Sequence, residues 1–162
     1  MAGGNGPTRN GLKVVGKPYH KVDVKAKCTG EAKYADDLTL PRMLFCKLLR
    51  SSVPHARIRN IDTSKAEAYP GVKAVIVGKD LPNRYGALPV SEDEFALCIE
   101  KVRYVGDPVA AVAAIDEDVA TEALELIPVD YEPLPTITSI QEAYDNPEPR
   151  IHEHGEGGNF HR

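Results

Sequence analysis

Three cysteines are the residues of this sequence best suited to bind a soft metal ion. Cys28, Cys46 and Cys98 are an odd number, lie far apart and form no CxxC pair. Iron–sulfur clusters and structural zinc sites usually need four closely organised ligands, so the spacing supports neither. Cys46 and Cys98 lie in apolar runs typical of strands, which predicts inert thiols packed in the core. We interpret all three as reduced thiols of a cytoplasmic protein.

A second group of potential ligands lies near the C-terminus. His152 and His154 lie with Glu153 and Glu156 in a glycine-rich stretch. No regular element is predicted there to fix their geometry, and metal sites need ordered ligands. We therefore predict a solvated tail and no metal site. His55 has no evident carboxylate partner, which favours a structural or interface role over that of a general base.

Neighbouring acidic residues form two short runs, at 36–37 and 92–94. Adjacent acids in loops are usually solvated, and they lack the opposed geometry that paired acid–base catalysis needs. Asp107 lies between Gly106 and Pro108, which predicts a turn former. These runs therefore point to no catalytic pair.

Composition limits the class of protein. The 162 residues suit one domain, 42% of them are hydrophobic and 27% charged, as in ordinary globular proteins. A net charge of −4 gives no reason to expect nucleic acid as a partner. No apolar run approaches the roughly 20 residues that span a bilayer, and residues 1–7 lack the apolar region of a secretory signal.

Hydrophobic patterning predicts the elements that must position these side chains. Strands are expected at 43–50, 56–61, 72–77, 109–115 and 129–132, with a short strand and turn at 102–108, and the first strand is apolar on both faces, as in a covered sheet. Three helix starts are predicted, at Asp62–Ser64, at Asp116 and at either Ser139 or Thr138, and the helix after Asp116 has the clearest apolar face. Residues 79–94, rich in proline and glycine, are expected to form a long ordered loop.

This order of elements predicts an α+β fold. Residues 1–20 have no hydrophobic period and are predicted to form a flexible arm. The folded domain is expected at 21–146, and residues 147–162 are expected to form a linker-like tail.

Four segments together carry a family resemblance. They are GEAKYADDL (30–38), SSVPHARIRNIDTSKAEAYPGVKAVIVGKDLP (51–82), VRYVGDPVAAVAA (102–114) and VDYEPLP (129–135). In order and spacing they resemble the α/β hammerhead domain of the xanthine dehydrogenase and aldehyde oxidase family, the molybdenum hydroxylases. The resemblance implies a mixed, barrel-sandwich-like sheet with two main helices. The stretches LPVSEDEFAL and EKVRYVGDPVAAVAAIDEDVATEAL are most similar to the 4-hydroxybenzoyl-CoA reductase branch.

The resemblance also implies a place in an oxidoreductase complex. In that family the large subunit holds molybdenum on a pterin, usually as the cytosine dinucleotide in bacteria. Electrons pass through 2Fe-2S clusters and usually FAD on other domains or subunits. The family's metal-site motifs have no counterpart here, so we assign no catalytic residue and expect this chain alone to bind no cofactor. The implied partners are molybdopterin-binding domains or a subunit, an iron–sulfur subunit and an FAD subunit, with no nucleic acid and no membrane.

One hammerhead loop approaches the substrate funnel in the family. It corresponds here to Gly86, Ala87, Leu88, Pro89 and Val90. Leu88 and Val90 would supply apolar walls for an aromatic substrate. The alternative is an ordinary surface loop, and the sequence weighs the two equally.

Two readings of the whole chain compete. The first is a hammerhead domain or split subunit with structural, docking and substrate-funnel roles, folded but catalytically silent alone. Exposed apolar loop residues would then mark its docking face. The second is a free-standing module that grips a small molecule or a protein with the 79–94 loop. The sequence equally fits a fragment of a longer subunit.

Overall fold

The computed structural model describes residues 14–86, 92–153 and 158–159. These residues form two units that divide between Pro41 and Arg42. The first unit contains helix α1 (Val24–Thr29), which ends at Gly30 with φ 76°, and a 3-10 turn (Ala35–Asp37). None of the side chains of α1 is buried.

The second unit contains the remaining strands and helices in the described ranges. In chain order they are β1 (Phe45–Arg50), β2 (Ala56–Ile61), α2 (Ser64–Glu67), β3 (Val72–Val77), a 3-10 turn (Gly78–Asp80), β4 (Arg84–Tyr85), β5 (Glu94–Phe95), β6 (Lys101–Val102), β7 (Pro108–Ala114), α3 (Glu117–Glu125), β8 (Val129–Pro133) and α4 (Ile140–Asp145). No helix in these ranges is long and apolar enough to cross a membrane.

The strands of the second unit form two small open sheets and a hairpin. The first sheet has the order β1-β7-β3 and the second the order β6-β2-β8, while β4 pairs with β5. Every pair among the described strands is antiparallel. The predicted α+β class is confirmed.

Helix α3 covers one face of the first sheet. Asp116 caps it, since its carboxylate accepts a hydrogen bond of 2.8 Å from the Val119 amide. Ala120 and Ala123 are fully buried against the sheet, whose central strand contributes the fully buried Val112. Small residues on the helix allow the close approach that buries Val112. The helix predicted after Asp116 is confirmed.

A second core cluster lies between the two sheets. Ala56, Cys98, Val102 and Val109 are its buried members. Ile61 and Val129 pack against both core clusters, and so the two sheets share a continuous apolar interior.

Two loop expectations are refined by the structure. Within the predicted 79–94 loop, Arg84–Tyr85 forms β4 and pairs with Glu94–Phe95 of β5 as a hairpin, and a 3-10 turn at Gly78–Asp80 overlaps the start of the loop. Residues 87–91 lie outside the described ranges.

Ser139 caps α4 as predicted, accepting a hydrogen bond of 3.1 Å from the Glu142 amide. The boundaries proposed for an arm, a domain and a tail stay predictions.

Candidate functional site

The predicted funnel loop extends from the β4–β5 hairpin. Gly86 directly follows Tyr85 of β4 and is half-buried. Ala87, Leu88, Pro89 and Val90 lie outside the described residues, and so the funnel assignment stays a prediction. The hairpin itself is braced by the Arg84 guanidinium, which lies 5.4 Å from the centre of the Phe95 ring, within the range of a cation–π contact.

A cavity of about 250 Å³ lies beside this hairpin. Its walls include three aromatic rings, those of Tyr85, Phe95 and Tyr104, together with Cys98 and Asp107. Mixed apolar and polar walls are typical of small-molecule sites. The chemistry of the cavity depends on whether any of these groups can react.

Cys98 is held in an unreactive form. Its side chain is 5% exposed, and burial, assisted by a hydrogen bond from the thiol to Asp107, raises the pKa of Cys98 to about 12. The thiol therefore stays protonated at neutral pH, and the thiolate is the nucleophilic form. Burial, followed by the charge of Asp107, also raises the pKa of Tyr104. The cavity can therefore contribute shape and contacts for binding, but its protonated Cys98 thiol is not suited to act as a nucleophile.

Asp107 has the predicted role of a turn former. Its carboxylate accepts a hydrogen bond of 2.8 Å from the Arg103 amide, and its own amide donates to the Tyr104 carbonyl at 3.2 Å. His55 is also structural: it is 4% exposed, and its Nδ1 lies 2.6 Å from the Pro135 carbonyl oxygen. Neither residue forms part of a catalytic pair in the described structure.

The three cysteines do not fit an iron–sulfur cluster. Cys98 is buried and Cys46 is exposed on β1, while Cys28 belongs to the first unit. Within residues 14–86, 92–153 and 158–159, no group of three His, Cys, Asp or Glu side chains could hold a metal ion.

The prediction that Cys46 packs in the core is wrong, and so is the prediction that both faces of β1 are covered. Leu49 points toward α3 with Val112, whereas Cys46 and Leu48 lie on the opposite face and are exposed. Strand residues two apart share a face, and α3 covers only one. Apolar composition on both faces indicated a covered sheet, but this unit supplies a cover for one side alone.

The register places four further apolar residues on the same face of the sheet, of which Ala111 is only 4% exposed. Leu48 of β1 pairs with Ala111 of β7, which pairs with Ile76 of β3; Cys46, Ala113 and Ala74 form the adjacent row. Leu48 is 39% exposed and Ile76 is 37% exposed. We call these six residues the open face. Apolar strand residues, and not only apolar loop residues, thus mark a candidate docking surface.

The C-terminal segment is bound to β6 by ion pairs. Lys101 is 8% exposed; its ammonium forms an ion pair with Glu153 and donates to the Arg150 carbonyl at 2.9 Å. Arg103 donates to the Ile151 carbonyl at 3.0 Å and to Glu153 at 3.1 Å. A buried ammonium needs such partners, because unpaired burial of a charge is costly.

A second pair joins the same segment to the hairpin. His152 Nδ1 lies 2.6 Å from an Asp93 carboxylate oxygen, and the Asp93 side chain is only 11% exposed. His152 and Glu153 are thus held by specific partners, although the Glu153 side chain is still 64% exposed. Asp93, which was expected to be solvated, is largely buried. His154 and Glu156 lie outside the described residues. The sequence signal was the pair of cations Lys101 and Arg103, which flank Val102 and need an acid elsewhere in the chain when they are buried.

Acid is expected to weaken this attachment through Glu153. Burial acts to raise the pKa of Glu153, but hydrogen bonds and charge from Lys101 and Arg103 outweigh it and leave the pKa lowered. A lowered pKa contributes stability that is present above the unfolded value of about 4.5 and is lost as the pH falls through the folded value. Because the carboxylate is 64% exposed, we expect at most about 1 kcal/mol.

The measurement is the melting temperature of the wild type and of Glu153→Gln between about pH 7 and about pH 3. The wild type is expected to lose its advantage over Glu153→Gln below about pH 4.5. Glu125→Gln, which neutralises an exposed acid of α3, is the matched control and should follow the wild-type profile. A constant difference between wild type and Glu153→Gln across this range would contradict the assignment.

Comparison with known proteins adds to this geometry. Residues 29–135 match the family described as "Aldehyde oxidase and xanthine dehydrogenase, a/b hammerhead domain". The chain is 46% identical over 145 residues to a probable xanthine dehydrogenase subunit of Bacillus subtilis, covering 88% of this chain and 19% of that protein. It is 43% identical over 141 residues to the nicotinate dehydrogenase large molybdopterin subunit of Eubacterium barkeri, covering 86% of this chain and 33% of the relative.

A solved structure has a similar fold. The aldehyde oxidoreductase of Desulfovibrio gigas superposes with a TM-score of 0.74 at 36% identity, covering 82% of this chain and 16% of that chain. The chain thus spans one third or less of the length of each of these three proteins.

Proposed function

The chain belongs to the hammerhead-domain family of aldehyde oxidase and xanthine dehydrogenase, and from this we propose that it is the docking and entrance-shaping part of a molybdopterin-dependent oxidoreductase. In this proposal it carries out no catalysis by itself. The observation that carries the proposal is the open face, an apolar sheet surface that the described helices of the second unit leave uncovered.

Because apolar side chains of the open face are partly exposed to water, binding of a partner that covers them is favourable. Burying a leucine or isoleucine side chain that stands partly in water contributes on the order of 1 kcal/mol. Leu48 and Ile76 stand on either side of the small side chain of Ala111, which leaves a shallow apolar surface that a second apolar surface can fill. We propose that molybdopterin-binding domains, or a subunit that carries them, cover it.

The entrance role rests on the β4–β5 hairpin and the loop it bears. We propose that Gly86, Ala87, Leu88, Pro89 and Val90 line the substrate funnel, with Leu88 and Val90 as apolar walls. The unreactive Cys98 and the cavity beside the hairpin support a role in shape and not in bond making. In this proposal the other domains of the complete enzyme determine the substrate. The narrower proposal, a 4-hydroxybenzoyl-CoA reductase-like branch, rests on the sequence at 88–97 and 100–124.

Cofactors and other partners are assigned to the rest of the complex. We propose molybdopterin, in the cytosine dinucleotide form, on the adjoining domains, and 2Fe-2S clusters and FAD on further subunits or domains. When bound, molybdopterin supplies the redox chemistry, and this chain contributes surface and shape. The Bacillus subtilis and Eubacterium barkeri relatives are both named as subunits, which supports membership of a multi-subunit complex. Cytoplasmic location stays a prediction from the three thiols.

The test is metal retention by the complex when the open face is disrupted. An affinity tag is placed on the chromosomal copy of the gene, and molybdenum and iron are measured per mole of tagged protein. The double variant Leu48→Asp/Ile76→Asp puts two carboxylates on the open face and is expected to lower molybdenum and iron at least about tenfold, since each buried charge costs several kcal/mol. The matched control is Ile140→Asp, at an isoleucine of α4 that is 91% exposed.

The outcomes separate the two readings of the chain. Molybdenum, iron and further chains in the wild-type and Ile140→Asp eluates, but not in the double-variant eluate, support docking through the open face. A wild-type eluate that contains this chain alone without metal contradicts the proposal and favours a free-standing binding module. Full metal retention in the double variant contradicts the role of the open face.

A further inference from the structure

Four cationic side chains line one cavity of the second unit. The cavity has a volume of about 340 Å³, and its walls include Arg57, Arg84, Lys101 and Arg103 against two acids, Glu100 and Glu153. The side chains that line the cavity therefore carry two more positive than negative charges, although the net charge of the whole chain is −4. A surplus opposed to the charge of the whole molecule identifies this cavity as a place where an anion is favoured.

Strand pairing sets two of these cations side by side. Arg57 of β2 lies opposite Lys101 of β6 on one side and opposite Glu132 of β8 on the other, but Glu132 forms its ion pair with Arg59. Glu153 neutralises Lys101 and contacts Arg103. Among the described residues neither Arg57 nor Arg84 has a carboxylate partner. The cavity therefore has two guanidinium groups available to an incoming anion.

The cavity already binds one carboxylate, that of Glu153. Lys101, which holds it, is 8% exposed, so this cation belongs to a built site and not to a solvated surface. The bond between Lys101 and Glu153 joins residues 52 positions apart. A guanidinium presents paired donors that match the oxygens of a carboxylate or phosphate, so Arg57 and Arg84 can recognise the same chemistry.

One wall of the cavity is apolar. Phe95 and Ile99 line it, and the guanidinium of Arg84 lies over the Phe95 ring. An anion that carries an apolar group can place its charge on the arginines and its apolar part on this wall. The volume is within the range of sites for small organic molecules.

We propose that this cavity is a binding site for a small organic anion, a carboxylate or a phosphate ester attached to an apolar group, held by Arg57 and Arg84. The site is independent of the open face and of the proposed role in an oxidoreductase. Its ligand is recognised by charge and an apolar wall together, so neither feature alone should suffice for binding.

The test is a titration of the isotope-labelled 162-residue chain followed by amide NMR. Three probes differ in one feature each: benzoate, phenyl phosphate and the uncharged benzyl alcohol. Saturable shifts at Arg57, Arg84 and Phe95 are expected with at least one of the two anions and not with benzyl alcohol, and the stronger anion identifies the preferred headgroup. The double variant Arg57→Gln/Arg84→Gln is expected to weaken that binding at least about fivefold, through loss of both charge-assisted contacts. The matched control is Lys73→Gln, which removes an exposed positive charge of β3 that does not line this cavity.

Glu153→Gln is expected to strengthen binding of the anion, whereas Arg57→Gln/Arg84→Gln weakens it. Removing the internal carboxylate leaves Lys101 and Arg103 in need of an anion, so this variant should bind the preferred probe more tightly than the wild type. The same probe should raise its melting temperature by more than it raises that of the wild type. Absence of saturable shifts with both anions, or equal affinity in the wild type and in Arg57→Gln/Arg84→Gln, overturns the proposal.

Discussion

Replacing Gly78 with alanine is expected to destabilise the second unit by about 3 kcal/mol or more. A Cβ at this position would lie 2.3 Å from the Cys98 carbonyl oxygen, 2.6 Å from its carbonyl carbon and 2.8 Å from the Leu97 carbonyl oxygen. All three are backbone atoms, and a backbone segment held in the core cannot yield as the tip of a side chain can. Relief of the clash would have to separate the turn after β3 from the 97–98 segment.

The measurement is urea unfolding followed by circular dichroism, with the wild type and Gly106→Ala in parallel. Gly106 has φ 96° but has no atom within 4 Å of an added Cβ, so alanine there meets backbone strain without a clash, at a cost of about 1–2 kcal/mol. Gly78→Ala should therefore be the more destabilised of the two. If its stability lies within about 1 kcal/mol of the wild type, the close packing of β3 against the 97–98 segment is contradicted.

Placing a carboxylate at Val112 is expected to unfold the second unit at neutral pH. Val112 is fully buried in the central strand of the first sheet, facing α3. The substitution Val112→Asp would bury a charge among apolar side chains, which costs about 4 kcal/mol or more. The circular dichroism spectrum at neutral pH should show loss of the strand and helix signal.

The matched control puts the same group on the other face of the same sheet. Ile76→Asp lies on the open face, where the side chain is 37% exposed, so water can solvate the carboxylate. We expect the variant to remain folded, with a loss of about 1 kcal/mol or less. Equal unfolding of Val112→Asp and Ile76→Asp would show that both faces are covered within this chain and would remove the basis of the docking proposal.

The sequence alone determined the elements whose stabilising contacts are local. Asp116 predicted the start of α3 because an N-cap bonds to an amide three residues away. The strand expected at 56–61 is confirmed as β2, whose alternating pattern is set by residues next to each other in the chain. The family could be recognised for the same reason: its motifs are continuous runs of sequence, and family membership is confirmed.

Only the tertiary structure decided which surfaces and charges meet. Leu48 and Leu49 are both leucines of one strand, and the sequence could not tell which of them faces α3 and which remains exposed. Glu153 was indistinguishable from a solvated acid until the fold brought it to Lys101, and Gly78 showed no constraint until Cys98 lay against it. The physical reason is that periodicity and capping depend on neighbours within a few residues, whereas these contacts depend on how separate strands pair and pack.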